Sequence, residues 1–130
     1  MNFRLPALKR NEMLDAFAAH FNSGYLRIYS GAQPASADDA LAGNTLLAEL
    51  RFNATAFPGA DASALVANAI VEDSSADDTD TATFFRCFKS DGTTVICDGD
   101  VGIAAATCIL NTVSIVAGAS VQCSSFTINL

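Results

Sequence analysis

Residues 79–102 read TDTATFFRCFKSDGTTVICDGDVG, and the order of apolar and turn-forming side chains in this stretch decides the fold. Two β-rich runs, 81–89 and 94–97, flank Asp91-Gly92, and an Asp-Gly dipeptide between such runs is a strong hairpin signal. Successive side chains of a strand point to opposite faces, so Phe84, Arg86 and Phe88 share one face while Phe85 and Cys87 share the other. Both faces carry bulky apolar groups. The pattern predicts a central hairpin strand lying between two packed layers, because a strand with one wet face alternates apolar with polar residues.

Downstream, residues 107–116 and 120–130 read as two further strands around Ala117-Gly118-Ala119. Phe126, Ile128 and Leu130 form one face of the last, which predicts a C-terminus ordered within a sheet. Upstream, residues 25–30 alternate as a strand. The next strand places Leu46, Ala48, Leu50 and Phe52 on one face and Glu49 and Arg51 on the other. Residues 65–71 make another after the break at Phe57-Pro58-Gly59. Two polar segments separate these runs, GAQPASADDALAGN over 31–44 and EDSSADDTD over 72–80. The first is long for a compact domain and reads as a solvated excursion or a contact surface.

Ahead of the strands, Met13, Leu14, Phe17, Ala18 and Phe21 recur at helical spacing over residues 11–22. Asn11 stands as the cap, Glu12 and Asp15 in the first turn and Gly24 as the stop. The stripe either packs on the chain's own sheet, the favoured reading, or docks onto a neighbouring subunit. Residues 1–7, MNFRLPA, read as an extended arm or helix lead-in whose Phe3 and Leu5 are unwelcome in water. Together these elements predict a mainly β chain, a two-sheet antiparallel β-sandwich of jelly-roll type with one N-terminal α-helix. The arm and helix occupy residues 1–24 and the sandwich 25–130.

The chain has 130 residues, enough for one domain with a core of its own, and 51% of them are hydrophobic with no tryptophan. A mean hydropathy of +0.32 is high for a free monomer and suits a subunit that buries surface against neighbours. The net charge of −7 is uneven: residues 1–30 hold four basic and two acidic side chains, the remainder three basic and twelve acidic. An acidic body repels phosphate backbones, so nucleic acid is not an expected partner. Residues 1–10 lack an apolar signal core and no run is long enough to span a bilayer, so the expected place of folding is the cytoplasm, with no membrane partner.

Few residues invite chemistry. His20 is the single histidine and falls near the polar side of the helix end, where it reads as exposed and non-catalytic; no serine or threonine has a nucleophile-elbow context. The glycines are scattered through turns and form neither a phosphate cradle nor a dinucleotide fingerprint. The expectation is therefore no enzyme and no cofactor. Five carboxylates crowd residues 72–80, but the spacing of an EF-hand is missing, and a solvated acidic loop is the plainer reading. Cys87, Cys97, Cys108 and Cys123 all fall on predicted strands and none is in a C-x-x-C pair, which argues against zinc. They read as buried thiols or, after release from a reducing cell, as candidates for disulfides. Cys87 and Cys97 face each other if the hairpin loop has three residues but not if it has two.

Three segments carry a resemblance: LRIYSGAQPASADDALAGNTLLAELRF, ANAIVEDSSADDTDTATFFRCFKSDGTTVICDGDVG and the ending SIVAGASVQCSSFTINL. Together, over residues 25–130, they resemble small virion structural proteins of tailed bacteriophages. The recognisable elements are the YSG…QP…AD start, the LLAELRF and TATFFR strands, the SDGTTVICDGDVG turn and the AGASV…SFTI close. The resemblance implies a capsid decoration or cement protein assembled in the host cytoplasm and carried in the virion. It would act as a homo-oligomer, a trimer being favoured, on the major capsid protein or other virion proteins. A tail, neck or fibre component is the alternative, and a glycan-binding surface module using Tyr25 and Tyr29 a second. The amphipathic helix and the cysteines depart from that pattern. They would serve extra inter-subunit grip, with Phe3, Leu5, Met13, Leu14, Phe17 and Phe21 as interface residues and the four thiols as cross-links.

Overall fold

The computed structural model describes residues 2–130. A helix, α1 (Ala7–Ala18), runs into a short 3-10 turn (Ala19–Phe21) and precedes nine strands. These are β1 (Tyr25–Tyr29), β2 (Leu46–Arg51), β3 (Ala64–Val66), β4 (Asp80–Thr81), β5 (Phe84–Phe88), β6 (Val95–Gly102), β7 (Cys108–Leu110), β8 (Ser114–Ile115) and β9 (Cys123–Asn129). Seven of them form one sheet in the order β2-β1-β5-β6-β7-β9-β3, and β4 and β8 form a small second sheet. The protein is mainly β with one N-terminal helix. β5 lies in the interior of the large sheet and all five of its residues are buried, as the apolar loading of both its faces predicts.

The large sheet curls. Phe85 on β5 and Phe126 on β9 are three strand steps apart, about 14 Å in a flat sheet, yet their ring centroids are 5.1 Å apart. Curvature brings the two rings together, and Phe21, Phe52 and Phe57 close around Phe126 in edge-on or tilted contacts. Main-chain hydrogen bonds also cover the outer edge of β2: Arg51 pairs with Val71, and Asp77 N–H donates to the Leu47 carbonyl. The same segment pairs on its other side, Asp73 with Val121 and Ala76 with Ala119. An edge that would otherwise present unpaired amides is thus closed off by the chain itself.

Two long strands expected from the sequence break where they change partner. Residues 81–89 divide at Ala82 and Thr83, with β4 pairing to β8 and β5 to β1 and β6. Residues 107–116 divide in the same way into β7 and β8, so both runs pass from one sheet to the other. The 65–71 run shortens to β3, and Val71 instead bridges to Arg51.

The antiparallel expectation fails at one place, where β6 and β7 pair in parallel through Val101 with Cys108 and Gly102 with Ile109. Between them the chain steps sideways and resumes its direction. The Asp100 carboxylate accepts the Thr107 N–H and Ala105 takes φ +50°, which folds the connection back on itself. A bulge in the β1–β2 pair is a further departure, because it puts Leu47 wholly inside and leaves Leu46 half-buried.

The helix begins four residues earlier than the periodicity indicates, with Pro6 at its N-terminal boundary in place of Asn11. Asn11 has another use: its side-chain oxygen accepts the Ser63 N–H at 3.0 Å, Asp15 accepts Ala60 N–H at 2.7 Å, and Asn22 accepts Ala56 N–H at 2.9 Å. Positions 11 and 15 share one side of the helix at i, i+4 and Asn22 follows just past the 3-10 turn, so three acceptors hold the 56–63 loop. The left-handed residue after the helix is Ser23 and not Gly24.

Candidate functional site

Two elements far apart in sequence form an apolar groove. α1 supplies Met13, Leu14 and Phe17, the end of β9 supplies Ile128 and Asn129, and Leu130 follows; together they line about 230 Å³. β3 pairs with β9 as far as Asn129 and the Leu130 N–H donates to the Ser63 carbonyl just beyond, while the Leu130 side chain stays 58% exposed beside Met13 at 54%. Such a surface offers contact area and one side-chain amide, and no charged side chain.

The six interface candidates divide. Phe3 is 77% exposed, Met13 lies open in the groove, and Leu5 and Phe17 are half-buried. Leu14 and Phe21 lie in the chain's own core, Leu14 reaching the groove wall and Phe21 with no exposure and edge-on contacts to Phe52 and Phe57. A ring already enclosed by its own chain has no surface left for a neighbour. Ile128 and Leu130 were missed as groove residues because they alternate in phase with buried Phe126. Their only signal was their place at the end of the last strand.

All four cysteines are free thiols. Cys87 and Cys97 are directly opposite each other across β5 and β6, but through a different turn from either one considered. Lys89 and Thr94 close a loop over residues 90–93, and a bulge at Ile96 then shifts the register by one. Cys108 and Cys123 sit on β7 and β9 with their sulfurs 3.6 Å apart. The Cys108–Cys123 hydrogen bond, with burial, pushes the Cys108 thiol up, and the same bond holds Cys123 below its ordinary value. Burial pushes Cys87 well up.

The acidic 72–80 loop uses its carboxylates as acceptors. Asp73 takes the Glu49 and Ser75 N–H groups, Asp78 and Asp80 each take the N–H of the following threonine, and Glu72 takes the Gln122 amide at 2.7 Å. Burial, with Asp73 and Glu49 nearby, raises the Asp77 carboxyl above its ordinary range. Among the described residues no three metal-ligating side chains converge. No helix of the described residues is long and apolar enough to cross a membrane.

Tyr29 is 5% exposed and stacks on Phe84, while half-buried Tyr25 lies between the Arg27 and Arg51 guanidiniums. The aromatic platform that motivates a glycan-binding reading is therefore not an open one. His20 is exposed and lines a shallow cleft with Phe17, Lys89, Thr94, Val95 and Ile96. No protein-family model, curated protein or solved structure matches the chain.

Proposed function

We propose that this chain is a non-enzymatic structural protein of a tailed-bacteriophage particle, a decoration or cement protein that binds the major capsid protein of the head shell as a homo-oligomer, a trimer being favoured. In this reading the curled sheet and the small second sheet are the two layers of a jelly-roll-like sandwich, which is supported by the two strands that pass between them. The observation that carries the function is the apolar groove between α1 and the end of β9, standing open on a body with an excess of acidic side chains. Apolar contact repeated at every junction of a shell adds up through multivalency, so a modest interface per copy stabilises the whole particle.

The test is stoichiometry. Purified particles are dissociated and the ratio of this chain to the major capsid protein is measured. A fixed ratio matching the shell lattice supports the reading, whereas a few copies per particle moves the protein to tail, neck or fibre. Absence from the particle sinks both.

A further inference from the structure

We propose that Cys123 and Cys108 form a reactive dithiol, in which Cys123 attacks a low-molecular-weight disulfide and Cys108 resolves the mixed disulfide, leaving an intramolecular bond that ties β7 to β9. The pairing rests on a detail of register. Cys108 is opposite Phe126 and Ile109 opposite Ser125, but Leu110 is opposite Cys123, so Ser124 is an extra residue in β9. Without that bulge Cys123 would point away from Cys108; with it, both thiols share one face and lie 3.6 Å apart. Forming the bond requires the sulfurs to approach by about 1.5 Å, within the reach of small side-chain rotations.

The two thiols have different environments, and this sets the order of events. Cys123 is half-buried and opens, with Ile70, Glu72, Gln122 and Ser124, onto a cleft of about 310 Å³. Cys108 has no exposure. A small disulfide therefore reaches Cys123 and not Cys108. The hydrogen bond between the two sulfurs lowers the Cys123 thiol from its ordinary value, which favours the thiolate at the accessible position, and the thiolate is the nucleophile. The Cys87–Cys97 pair likewise joins an enclosed thiol to a half-buried one; what sets Cys123 apart is the cleft it opens onto and its sulfur contact with Cys108.

The chemistry balances. The Cys123 thiolate attacks one sulfur of RSSR, the S–S bond breaks and RS⁻ leaves, taking up the proton that Cys123 released. Cys108 then gives up its proton as its sulfur attacks Cys123, and a second RSH departs. Two protein thiols are oxidised and one RSSR is reduced to two RSH. Glu72 in the cleft and the acidic body favour a cationic disulfide over an anionic one, so cystamine is the suitable probe.

The experiment uses the reduced, folded chain in solution, so its outcome does not depend on where the protein works. Cystamine is added without denaturant, free thiols are alkylated and the digest is mapped without reductant. The expected first product is a Cys108–Cys123 cross-linked peptide. Cys123→Ser should lose that product and slow the first thiol loss by at least about tenfold. Cys108→Ala should trap one cysteamine on Cys123 as a mixed disulfide, the other half leaving as free thiol; should that variant fail to fold, the wild-type map alone decides. A first cross-link at Cys87–Cys97 or between chains would overturn the proposal, as would thiols that react only after denaturant is added.

Discussion

On one face of β5, Phe85 and Cys87 look into a cluster of aromatic rings; on the other, Phe84 and Phe88 flank an arginine whose guanidinium grips a carboxylate. Both faces exclude water. The first is held by area and shape, with Phe85 against Phe126 and α1 laid over the cluster. The second is held by direction: Arg86 Nε and Nη2 reach the two Asp98 oxygens at 2.6 and 2.8 Å, with side chains 4% and 5% exposed. Around that pair Tyr29 stacks on Phe84, and Arg27 lies 4.4 Å from the Phe88 ring centroid while bonding to Glu49. Apolar packing tolerates exchange of one hydrophobe for another, whereas a buried ion pair is intolerant of losing a single partner.

That contrast predicts two large effects of similar size and different kind. Arg86→Ala leaves Asp98 buried and unpaired and should cost about 3–5 kcal/mol. Phe126→Ala opens a cavity beside Phe85 and should also cost about 3–5 kcal/mol. The faces separate on rescue: replacing both partners, Arg86→Met with Asp98→Leu, should recover most of the loss, because no charge is then stranded. Urea unfolding of the three variants measures this. A double variant as unstable as Arg86→Ala would mean that the polar face owes its stability to more than this pair.

Gly99 sits where the faces meet in sequence, next to Asp98 and opposite Phe85. A Cβ there would lie 2.4 Å from Phe85 Cζ, so the ring occupies the space a side chain would need. Gly99→Ala should cost about 1–3 kcal/mol by displacing Phe85 from the aromatic cluster, read as a lower urea midpoint at unchanged slope. A neutral result would show that the dry face adapts more readily than close packing implies.

These tests also mark what could be read from residues alone. The loading of both faces of β5 was plain in TATFFRCF, and the stripe Leu14, Ala18, Phe21 announced a helix packed on something. The bulges at Ile96 and Ser124, the sideways step from β6 to β7 and the strand breaks at Ala82 and Thr83 were not legible. Each depends on which distant segment supplies the partner amides, and local propensity carries no record of that. The thiols show the consequence most clearly: four cysteines on strands were visible, but which ones meet turns on one inserted residue. Asn11 failed in the opposite sense, since a good cap residue was claimed by the Ser63 amide.

The dry face is roofed by α1, so weakening the acceptors that hold the helix to the 56–63 loop tests the roof separately. Asp15→Ala removes the acceptor for Ala60 N–H, an exposed bond, and should cost about 1 kcal/mol while leaving the aromatic cluster intact. Faster amide exchange confined to residues 56–63 and α1 is the expected signature. Exchange that rises equally in β5 would mean the helix and the core open as one unit.

The smallest effect belongs to the hairpin tip on the polar side, where Arg27 Nη1 donates to the Gly92 carbonyl at 3.0 Å. Asp91 accepts from the Thr94 hydroxyl and from the Thr94 and Thr93 N–H groups, which hold its carboxyl at about 2, against an ordinary 3.8. Because the folded state favours the carboxylate, the associated stability is present above pH 3.8 and is lost as the pH falls toward 2. Thr94→Val removes the hydroxyl bond, the largest of these contributions, and should move the Asp91 titration back toward its ordinary value without touching the Arg86–Asp98 pair. Carboxyl shifts followed by NMR across this range decide it. An unchanged Asp91 titration in the variant would assign the depression to the backbone amides, making the tip a property of turn geometry and not of the side chains that border the polar face.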